Sequence, residues 1–326
     1  MSKGPKEADL SRVRTHSISE RASKVALEDL GRLFGPGEPF DRFLAALPRQ
    51  LAAPDLLELA GAIAKARRRG SPVLLMFGGH VVKCGLSPFV IDLVRRGIVT
   101  DLATNGSGAI HDLELAFFGA TSEDVASRLD DGSFGFARET AELFADGAGR
   151  AVKGGIGLGA GLARVVAGAP NREVSLLHAA AEAKVPLTVH VALGAEIVHQ
   201  HPAIVGAELG EASLRDFRIL AGGLAELDGN AVVLNVGSSV VLPEVFLKAL
   251  TVARNLGASA HGFTAANLDM NRPYRSIENV VRRPTRTGGR GIHITGHHEI
   301  MIPLLYGAVL AAIARGEDEE DRCSTP

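Results

Sequence analysis

The sequence predicts an α/β fold, a Rossmann-like, doubly wound and mostly parallel sheet. Three observations support this prediction. Short runs rich in Val, Leu and Ile alternate with amphipathic helix patterns, and the runs end in polar turns rich in glycine. The runs are also apolar throughout, as in sheets that helices cover on both faces. With 46% hydrophobic residues among 326, the chain is long enough to bury a large core.

Six strand-and-turn units follow one another along the chain. We expect the strands in the runs SPVLLMF, IVTDLAT, PLTVHVAL, AVVLNV, ASAHGFT and GIHIT, and the turns in GGHVVKCG, NGSGAIHD, GAEIVHQH, GSSVVLPE, AANLDM and GHHEIMIPLL. Ligands of such sheets bind outside the carboxyl ends of the strands, near a topological switch point. These turns are therefore predicted to form the binding edge.

Residues 21–316 are predicted to form a single domain, between a polar, mobile leader at 1–20 and an acidic tail at 317–326. No apolar run approaches the roughly 20 residues that span a bilayer. The glycine-rich stretch KGGIGLGAGLAR, at 153–164, follows no apolar strand. It is therefore predicted to be a loop leading into a helix, and not a dinucleotide motif.

Charge and cysteine content narrow the class of partner. A formal net charge of −2 gives no field that would attract nucleic acid or an anionic membrane. Cys84 and Cys323 form neither a disulfide framework nor a metal-binding pair. These features predict a cytoplasmic protein that acts on a small molecule, with no nucleic-acid or membrane partner.

The order of the turn motifs resembles that of the deoxyhypusine synthase family. TNGSGAIHD matches the family's TTAGGVEED, PLTVHVALGAE matches PVFSPALTDGS, GSSVVLPE matches GGGVVKHH, FTAANLDM matches NTAQEFDG, and GHHEIMIPLL matches ADASLVFPLL. The resemblance covers most of residues 70–310. It implies a Rossmann-like fold, NAD as the cofactor, and a homo-oligomer that is usually a homotetramer.

Position by position, the resemblance implies NAD contacts at several strand ends: Gly78, Gly79, His80, Thr104, Asn105, Gly106, Gly237, Ser238, Thr264, Ala265, Asp269, His297 and His298. Asp269 is the best candidate for the ribose, because a carboxylate can accept hydrogen bonds from both ribose hydroxyls. His111 and Asp112 are expected at the substrate.

The sequence departs from the family where the family's chemistry takes place. The lysine that forms an imine with the aminobutyl group falls at about Pro284, and Leu242 and Pro243 replace a Lys-His pair. Arg282 cannot substitute for that lysine, because a guanidinium remains protonated and forms no imine. Glu278 is retained. The family's imine chemistry is therefore replaced, and we expect an NAD-dependent redox step on a small substrate.

Histidines and carboxylates supply candidates for proton transfer. The stretch HVALGAEIVHQHP holds His190, Glu196, His199 and His201. Such residues ligate zinc or iron, but their spacing is not that of a helical H-E-x-x-H pair. An acid–base role is therefore favoured over a metal site at His190, His199 and His201. The predicted catalytic residues are His199, His201, Glu196, Glu244 and Glu278.

Arginines surround the segment that follows Asp269. Arg272 stands where the family has a carboxylate that binds polyamine, and Arg275 and Arg282 follow. Guanidinium groups match carboxylate or phosphate. The three arginines therefore predict an anionic or zwitterionic substrate.

Three other functions remain open. The first is an aminobutyl transferase of the deoxyhypusine or homospermidine synthase type, with Lys83 or Lys248 as a displaced lysine. The second is a metal-dependent hydrolase or lyase. The third is a non-catalytic regulator that binds a nucleotide.

Overall fold

A six-stranded sheet forms the centre of the computed structural model, which describes the backbone of residues 5–324 and the side chains of residues 5–316. Its strands are β1 Val73–Phe77, β2 Asp101–Asn105, β3 Leu187–His190, β4 Val232–Val236, β5 Thr264–Asp269 and β6 Arg290–Thr295. Every neighbouring pair is parallel, and the spatial order is β3-β2-β1-β4-β5-β6. The predicted Rossmann-like parallel sheet is confirmed.

Helices cover both faces of this sheet. The α-helices are α1 Phe40–Ala46, α2 Ala52–Arg69, α3 Gly79–Lys83, α4 Ser87–Arg95, α5 Gly106–Phe118, α6 Val125–Leu129, α7 Arg138–Lys153, α8 Leu158–Val166, α9 Leu176–Ala183, α10 Gly206–Gly223, α11 Val241–Asn255, α12 Tyr274–Ser276 and α13 His298–Ser324. A π-helix spans Ile277–Arg282. Short 3₁₀ helices lie at Leu10–Arg12, Ile18–Glu20, Leu27–Asp29, Arg172–Val174, Ile197–Gln200 and Leu224–Glu226.

The central strand β1 shows why its sequence is apolar throughout. Val73, Leu75 and Phe77 belong to a core cluster that includes α2, α4 and α13. Leu74 and Met76 point to the opposite face and belong to a second cluster with α11. Successive side chains of a strand face opposite sides, so a strand with helices on both faces needs apolar residues at every position.

The predicted fifth strand, ASAHGFT, is wrong. Ala260 and Gly262 have backbone φ angles of 42° and 78°, which a strand does not adopt. The strand begins only at Thr264, which pairs with Val232 and Arg290 at the amino ends of β4 and β6. Thr264 and Ala265 therefore lie at the edge opposite the turns, and the predicted contact of these two residues with NAD is corrected.

The glycine-rich stretch is a loop that leads into α8, as predicted. Gly157 precedes the first turn of α8. A methyl group at Gly157 would overlap the Asp216 carboxylate, one at Gly159 would overlap the Leu187 carbonyl, and one at Gly161 would overlap the Gly147 carbonyl. These glycines let α8 approach β3 and α7 closely, so their role is packing.

Among the described residues, those at the N-terminus are exposed, whereas those at the C-terminus continue a helix. Residues 5–28 are exposed along their whole length, and residues 1–4 and 325–326 of the predicted leader and tail lie outside the described residues. Helix α13 continues to Ser324, through most of the predicted acidic tail.

One helix corrects the expectation that no segment is long and apolar enough to span a bilayer. His298–Gly316 in α13 meets that condition by length and composition, with a mean hydropathy of 1.5. Met301, Ile302, Leu305, Val309 and Ile313 of this helix are buried in the core cluster. A long helix that packs its apolar face on a sheet also meets this condition of length and composition.

Asp216 of α10 ties the edge strand β3 to helix α8. Its Oδ2 accepts hydrogen bonds from the backbone N–H groups of Gly159 and Val189, both at 2.8 Å. The residue is 1% exposed. Burial raises its pKa to about 7, although the backbone hydrogen bonds act in the opposite direction. A carboxylate therefore satisfies N–H groups at a sheet edge that otherwise lacks partners.

Replacing Asp216 should destabilise the fold, and the loss should be larger when the new side chain has no oxygen to accept these hydrogen bonds. Asp216→Ala leaves two buried N–H groups without acceptors, and each such loss costs about 1–3 kcal/mol. We expect a loss of about 2–5 kcal/mol in the free energy of unfolding, measured by urea denaturation. Asp216→Asn keeps one oxygen for both donors and serves as the matched control, with a smaller loss.

The same pair of proteins should differ in pH dependence. Asp216 titrates near pH 7 when folded and an unfolded aspartate near pH 3.9, so the stability from this group falls as pH rises between these values. Asparagine does not titrate. Between pH 5 and pH 8 the unfolding free energy of wild type should therefore fall relative to that of Asp216→Asn. Stability curves that stay parallel over this range would contradict the raised pKa of Asp216.

Candidate functional site

The topological switch point lies between β1 and β4, where the turns after these strands meet. Gly78 N–H donates to the Val236 carbonyl at 3.0 Å, and Gly237 N–H donates to the Leu268 carbonyl at 3.1 Å. A methyl group at Gly78 would overlap the Gly237 carbonyl, and Gly237 has a φ of 63°. Glycine is therefore required at both positions by contact between the two turns.

Two histidines and a carboxylate surround Gly237. The rings of His80 and His298 pack edge to face, with centroids 5.4 Å apart. A methyl group placed at Gly237 would lie 3.3 Å from the His298 ring. Asp269 ends β5 and accepts hydrogen bonds from the Asn271 N–H at 3.0 Å and the Ser239 hydroxyl at 3.3 Å. These side chains converge at the carboxyl ends of β1, β4 and β5.

His298 holds an unused acceptor in this cluster. Its Nε2 lies 3.3 Å from the Leu268 carbonyl and therefore carries the proton, because a carbonyl can only accept. Its Nδ1 is buried with no hydrogen-bond partner among the described residues. Burial lowers the pKa of His298 more than the Leu268 and Asp269 groups raise it, which keeps the ring neutral.

A polar ladder crosses the strands beneath the same turns. Asn235 Nδ2 donates to Asn267 Oδ1 at 2.6 Å, and Asn267 Nδ2 lies 3.1 Å from His293 Nδ1. These residues are register partners on β4, β5 and β6. Asn235 Nδ2 also donates to the Ser238 carbonyl at 2.8 Å and so shapes the turn after β4. Two asparagines in otherwise apolar strands were the sequence signal for this ladder.

Several residues predicted to contact NAD are engaged elsewhere. Thr104 is 1% exposed and donates to the Phe77 carbonyl at 2.8 Å, whereas Asn105 accepts from the Gly108 N–H and caps α5. Ser238 Oγ accepts from the Leu242 N–H at 3.3 Å, in the first turn of α11. The side chain of His297 is 68% exposed and lies 3.7 Å from the Glu299 carboxylate.

Glu196 occupies the N-terminus of α5. Both carboxylate oxygens accept from the Ala192 N–H, at 3.0 and 3.1 Å, and the Gly106 N–H is another donor. A methyl group at Gly106 would overlap this carboxylate. Burial raises the pKa of Glu196 despite these hydrogen bonds. The anion-binding end of α5 is thus filled by the protein itself.

The predicted histidine cluster does not converge. His199 Nδ1 lies 3.4 Å from Glu196 and accepts from the Gly194 N–H, whereas His201 Nδ1 accepts from the Ala203 N–H. His190 ends β3, and burial lowers its pKa to about 4. Among the described residues, no group of three or more His, Cys, Asp or Glu could hold a metal ion. His190, His199 and His201, for which the sequence favours an acid–base role over a metal site, therefore form no metal-binding group among the described residues.

Position along the sheet separates Glu196 from Asp269. The Glu196 carboxylate lies at the N-terminus of α5, directly after β2, and β2 lies three strands away from β5, which corresponds to about 14 Å at a strand spacing of about 4.8 Å. The predicted acid–base pair of Glu196 and His199 is therefore separated from Asp269.

Asp112 is a capping residue, and its predicted place at the substrate is corrected. It is 2% exposed and accepts from the Ser175 hydroxyl at 2.5 Å and from the Leu176 N–H at 2.7 Å, at the start of α9. Burial raises its pKa to about 6 despite these bonds. His111, one residue earlier, points elsewhere, and its ring lies 3.0 Å from the position of a methyl group at Gly79.

The remaining carboxylates predicted as catalytic are paired with cations. Glu244 binds Lys248 and Arg275, which together lower its pKa, and Glu278 binds Arg282 at 2.8 Å. A paired carboxylate is a poor base. Of the three arginines predicted at the substrate, Arg275 and Arg282 are thus neutralised, and Arg272 has no ion-pair partner within residues 5–316.

Comparison with solved structures shows the fold. A deoxyhypusine synthase-like protein from Entamoeba histolytica is 12% identical, with a TM-score of 0.51 over 86% of this chain and 96% of its own. An LOR/SDH-like protein from Methanococcus maripaludis S2 is 12% identical, with a TM-score of 0.50 over 82% and 71%. The fold predicted from the resemblance is therefore confirmed, at a distance at which similarity shows the fold alone.

ArgZ, an arginine dihydrolase from the ornithine-ammonia cycle in cyanobacteria, is 16% identical, with a TM-score of 0.48. The match covers 81% of this chain and 34% of the ArgZ chain, so this protein spans about a third of ArgZ. No protein-family model matches the chain, and no curated protein matches its sequence.

Proposed function

We propose that this protein is an NAD-linked enzyme that carries out a redox step on a small substrate. One observation carries the proposal: the switch point of a β3-β2-β1-β4-β5-β6 parallel sheet coincides with the cluster of His80, Gly237, Asp269 and His298. Ligands of doubly wound sheets bind at this position. NAD would accept or supply a hydride there.

The donor set of the cluster fits a nucleoside. Asp269 has two carboxylate oxygens, and one of its two donors, the Ser239 hydroxyl at 3.3 Å, is readily replaced by a ribose hydroxyl. His298 Nδ1 is a buried acceptor without a partner among the described residues, and an N–H or O–H that enters the cluster would satisfy it. A dinucleotide would therefore lie across the turns after β4 and β5, with Gly237 beneath it.

Arg272 supports an anionic or zwitterionic substrate. It lies three residues beyond Asp269, is exposed, and is close enough to His293 to lower the pKa of that histidine, after burial as the main cause. An unpaired guanidinium beside the cofactor would orient a carboxylate or phosphate.

The aminobutyl transferase alternative has less support. Leu242 and Pro243 are buried in the first turn of α11, and Pro284 is buried as well, so apolar groups fill the positions of the family's lysine and Lys-His pair. Lys248 is paired with Glu244, and Lys83 is exposed. The metal-dependent alternative lacks a ligand cluster among the described residues.

We also propose a cytoplasmic homo-oligomer, a tetramer by resemblance. Exposed apolar side chains support self-association, because water-exposed Leu and Ile gain free energy when another chain covers them. Examples are Leu10, Ile18 and Leu33, which are 71%, 71% and 102% exposed.

Calorimetry tests the NAD proposal. Wild-type protein should bind NAD or NADH saturably, and Asp269→Asn should weaken binding about ten- to a hundredfold, because hydrogen bonds to a charged group contribute about 1.5–3 kcal/mol. Asp101→Asn is the matched control, since Asp101 begins β2 at the opposite edge of the sheet. No saturable binding at millimolar cofactor, or equal weakening by both variants, would refute the proposal.

A thermal-shift panel tests the substrate class. With NAD present, carboxylates, amino acids, phosphorylated metabolites and polyamines are compared. We expect an anionic or zwitterionic compound to raise the melting temperature of wild type and of Arg286→Ala, an exposed control, but not that of Arg272→Ala. Stabilisation by spermidine or putrescine alone, unchanged in Arg272→Ala, would exclude an anionic substrate at this residue.

A further inference from the structure

A histidine on α5 is held by a carboxylate and a threonine that the sequence analysis did not single out. His111 Nδ1 lies 2.7 Å from Thr121 Oγ1 and 3.7 Å from Glu114 Oε2. The Thr121 hydroxyl also binds Glu114 Oε2, and Thr140 Oγ1 donates to Glu114 Oε1 at 2.9 Å. The side chains of His111 and Glu114 are 15% and 13% exposed.

The donors and acceptors around His111 determine which nitrogen of its ring carries the proton. A threonine hydroxyl has one hydrogen, and an ionised carboxylate can only accept. Burial raises the pKa of Glu114, but the hydrogen bonds from Thr121 and Thr140 and the nearby His111 ring lower it by more, so the net shift is downward and this carboxylate is ionised. Thr121 therefore donates to Glu114 and accepts from His111, which places the imidazole proton on Nδ1. The lone pair is then on Nε2.

The ring edge that carries Nε2 lies beside the turn after β1. His111 Cδ2, which is bonded to Nε2, lies 3.0 Å from where a methyl group would stand at Gly79, the residue that opens α3 after β1. Nε2 makes no hydrogen bond to any residue in the range 5–316. A methyl group at position 79 would crowd Cδ2, so glycine at this position leaves room for the ring, and Nε2 is not among the buried unpartnered atoms of the described residues.

We infer that His111 is a proton acceptor in the crevice and that Glu114 and Thr121 are its positioning residues. In this step a ligand O–H or N–H bond breaks and a bond forms between the proton and His111 Nε2. The electron pair of the broken bond stays on the ligand atom, and the ionised Glu114 stabilises the imidazolium that results. The inference concerns the crevice of the proposed function, but it does not require that NAD binds.

The chemistry defines the class of ligand group. A neutral imidazole with a free Nε2 accepts a proton from a hydroxyl, an ammonium or an activated water. In the proposed function this group would be the O–H or N–H of the alcohol or amine that is oxidised. The ligand must therefore place such a hydrogen beside Gly79.

Carbethoxylation with diethyl pyrocarbonate tests the free nitrogen in the full chain, without any cofactor. The reagent modifies an accessible, unprotonated imidazole nitrogen, and peptide mass mapping locates the product. His178 is an internal control, because its side chain is 14% exposed and lies 3.3 Å from Glu182, on α9 away from the crevice. We expect His111 to react several-fold faster than His178.

Nitrogen NMR of ring-labelled protein gives a second readout. In wild type the His111 signals should show a protonated Nδ1 and an unprotonated Nε2. Thr121→Val keeps the shape of threonine but removes the hydroxyl that links His111 to Glu114, and Glu114→Gln removes the charge. Both variants should lose the tautomer preference and slow the carbethoxylation of His111 while leaving that of His178 unchanged.

The outcomes separate this inference from the proposed function. A proton on Nε2 of wild-type His111, or a reaction no faster than that of His178, would overturn the inference even if NAD binds. The expected tautomer and reactivity in a protein that binds no NAD would support the proton acceptor and refute only the redox function. Protection of His111 by NADH would support both.

Discussion

The parallel pairing of β1 with β2 on one side and β4 on the other is the constraint on which the rest of the structure depends. The chain leaves β1 towards β2 and β3 and returns to β4 on the other side, so the segments that follow β1 and β4 diverge. The two turns nevertheless touch at their start, because Gly78 carries no side chain that would overlap the Gly237 carbonyl, and Gly237 adopts a φ of 63°. The parallel register also aligns Asn235, Asn267 and His293 as partners on β4, β5 and β6.

Buried acids divide into two groups along the carboxyl edge. Asp112, Glu196 and Asp216 accept backbone N–H groups at helix N-termini and at the β3 edge, and burial raises the pKa of each. Such groups hold elements together. Asp269 is different, because it is held by one backbone N–H and one distant hydroxyl. Capacity for additional hydrogen bonds, and not acidity alone, marks the candidate site.

Much of the fold could be predicted from the sequence, because apolar runs and glycine turns reflect burial on both sheet faces. The error at β5 arose because the mostly small residues ASAHG, at 258–262, precede the strand without a clear turn pattern, whereas the positive φ angles of Ala260 and Gly262 are a property of the folded turn. Side-chain partners were harder to predict. Nothing in TNGSGAIHD distinguishes His111, which faces Gly79, from Asp112, which caps α9, because the difference is one position on a helix, roughly 100° of rotation. The ion pair of Glu278 with Arg282 likewise forms within a π-helix, which no sequence pattern indicates.

Hydrogen–deuterium exchange of the full chain, with and without NADH, tests most directly whether the carboxyl edge between β1 and β5 is the ligand site. We expect slower exchange in the turns at 78–83, 237–240 and 269–272. We also expect no change at 258–263, the segment before β5 at the opposite edge. Protection confined to the loop at 191–201 or to the region of α8 and α9, or no protection at saturating NADH, would contradict this position of the ligand site.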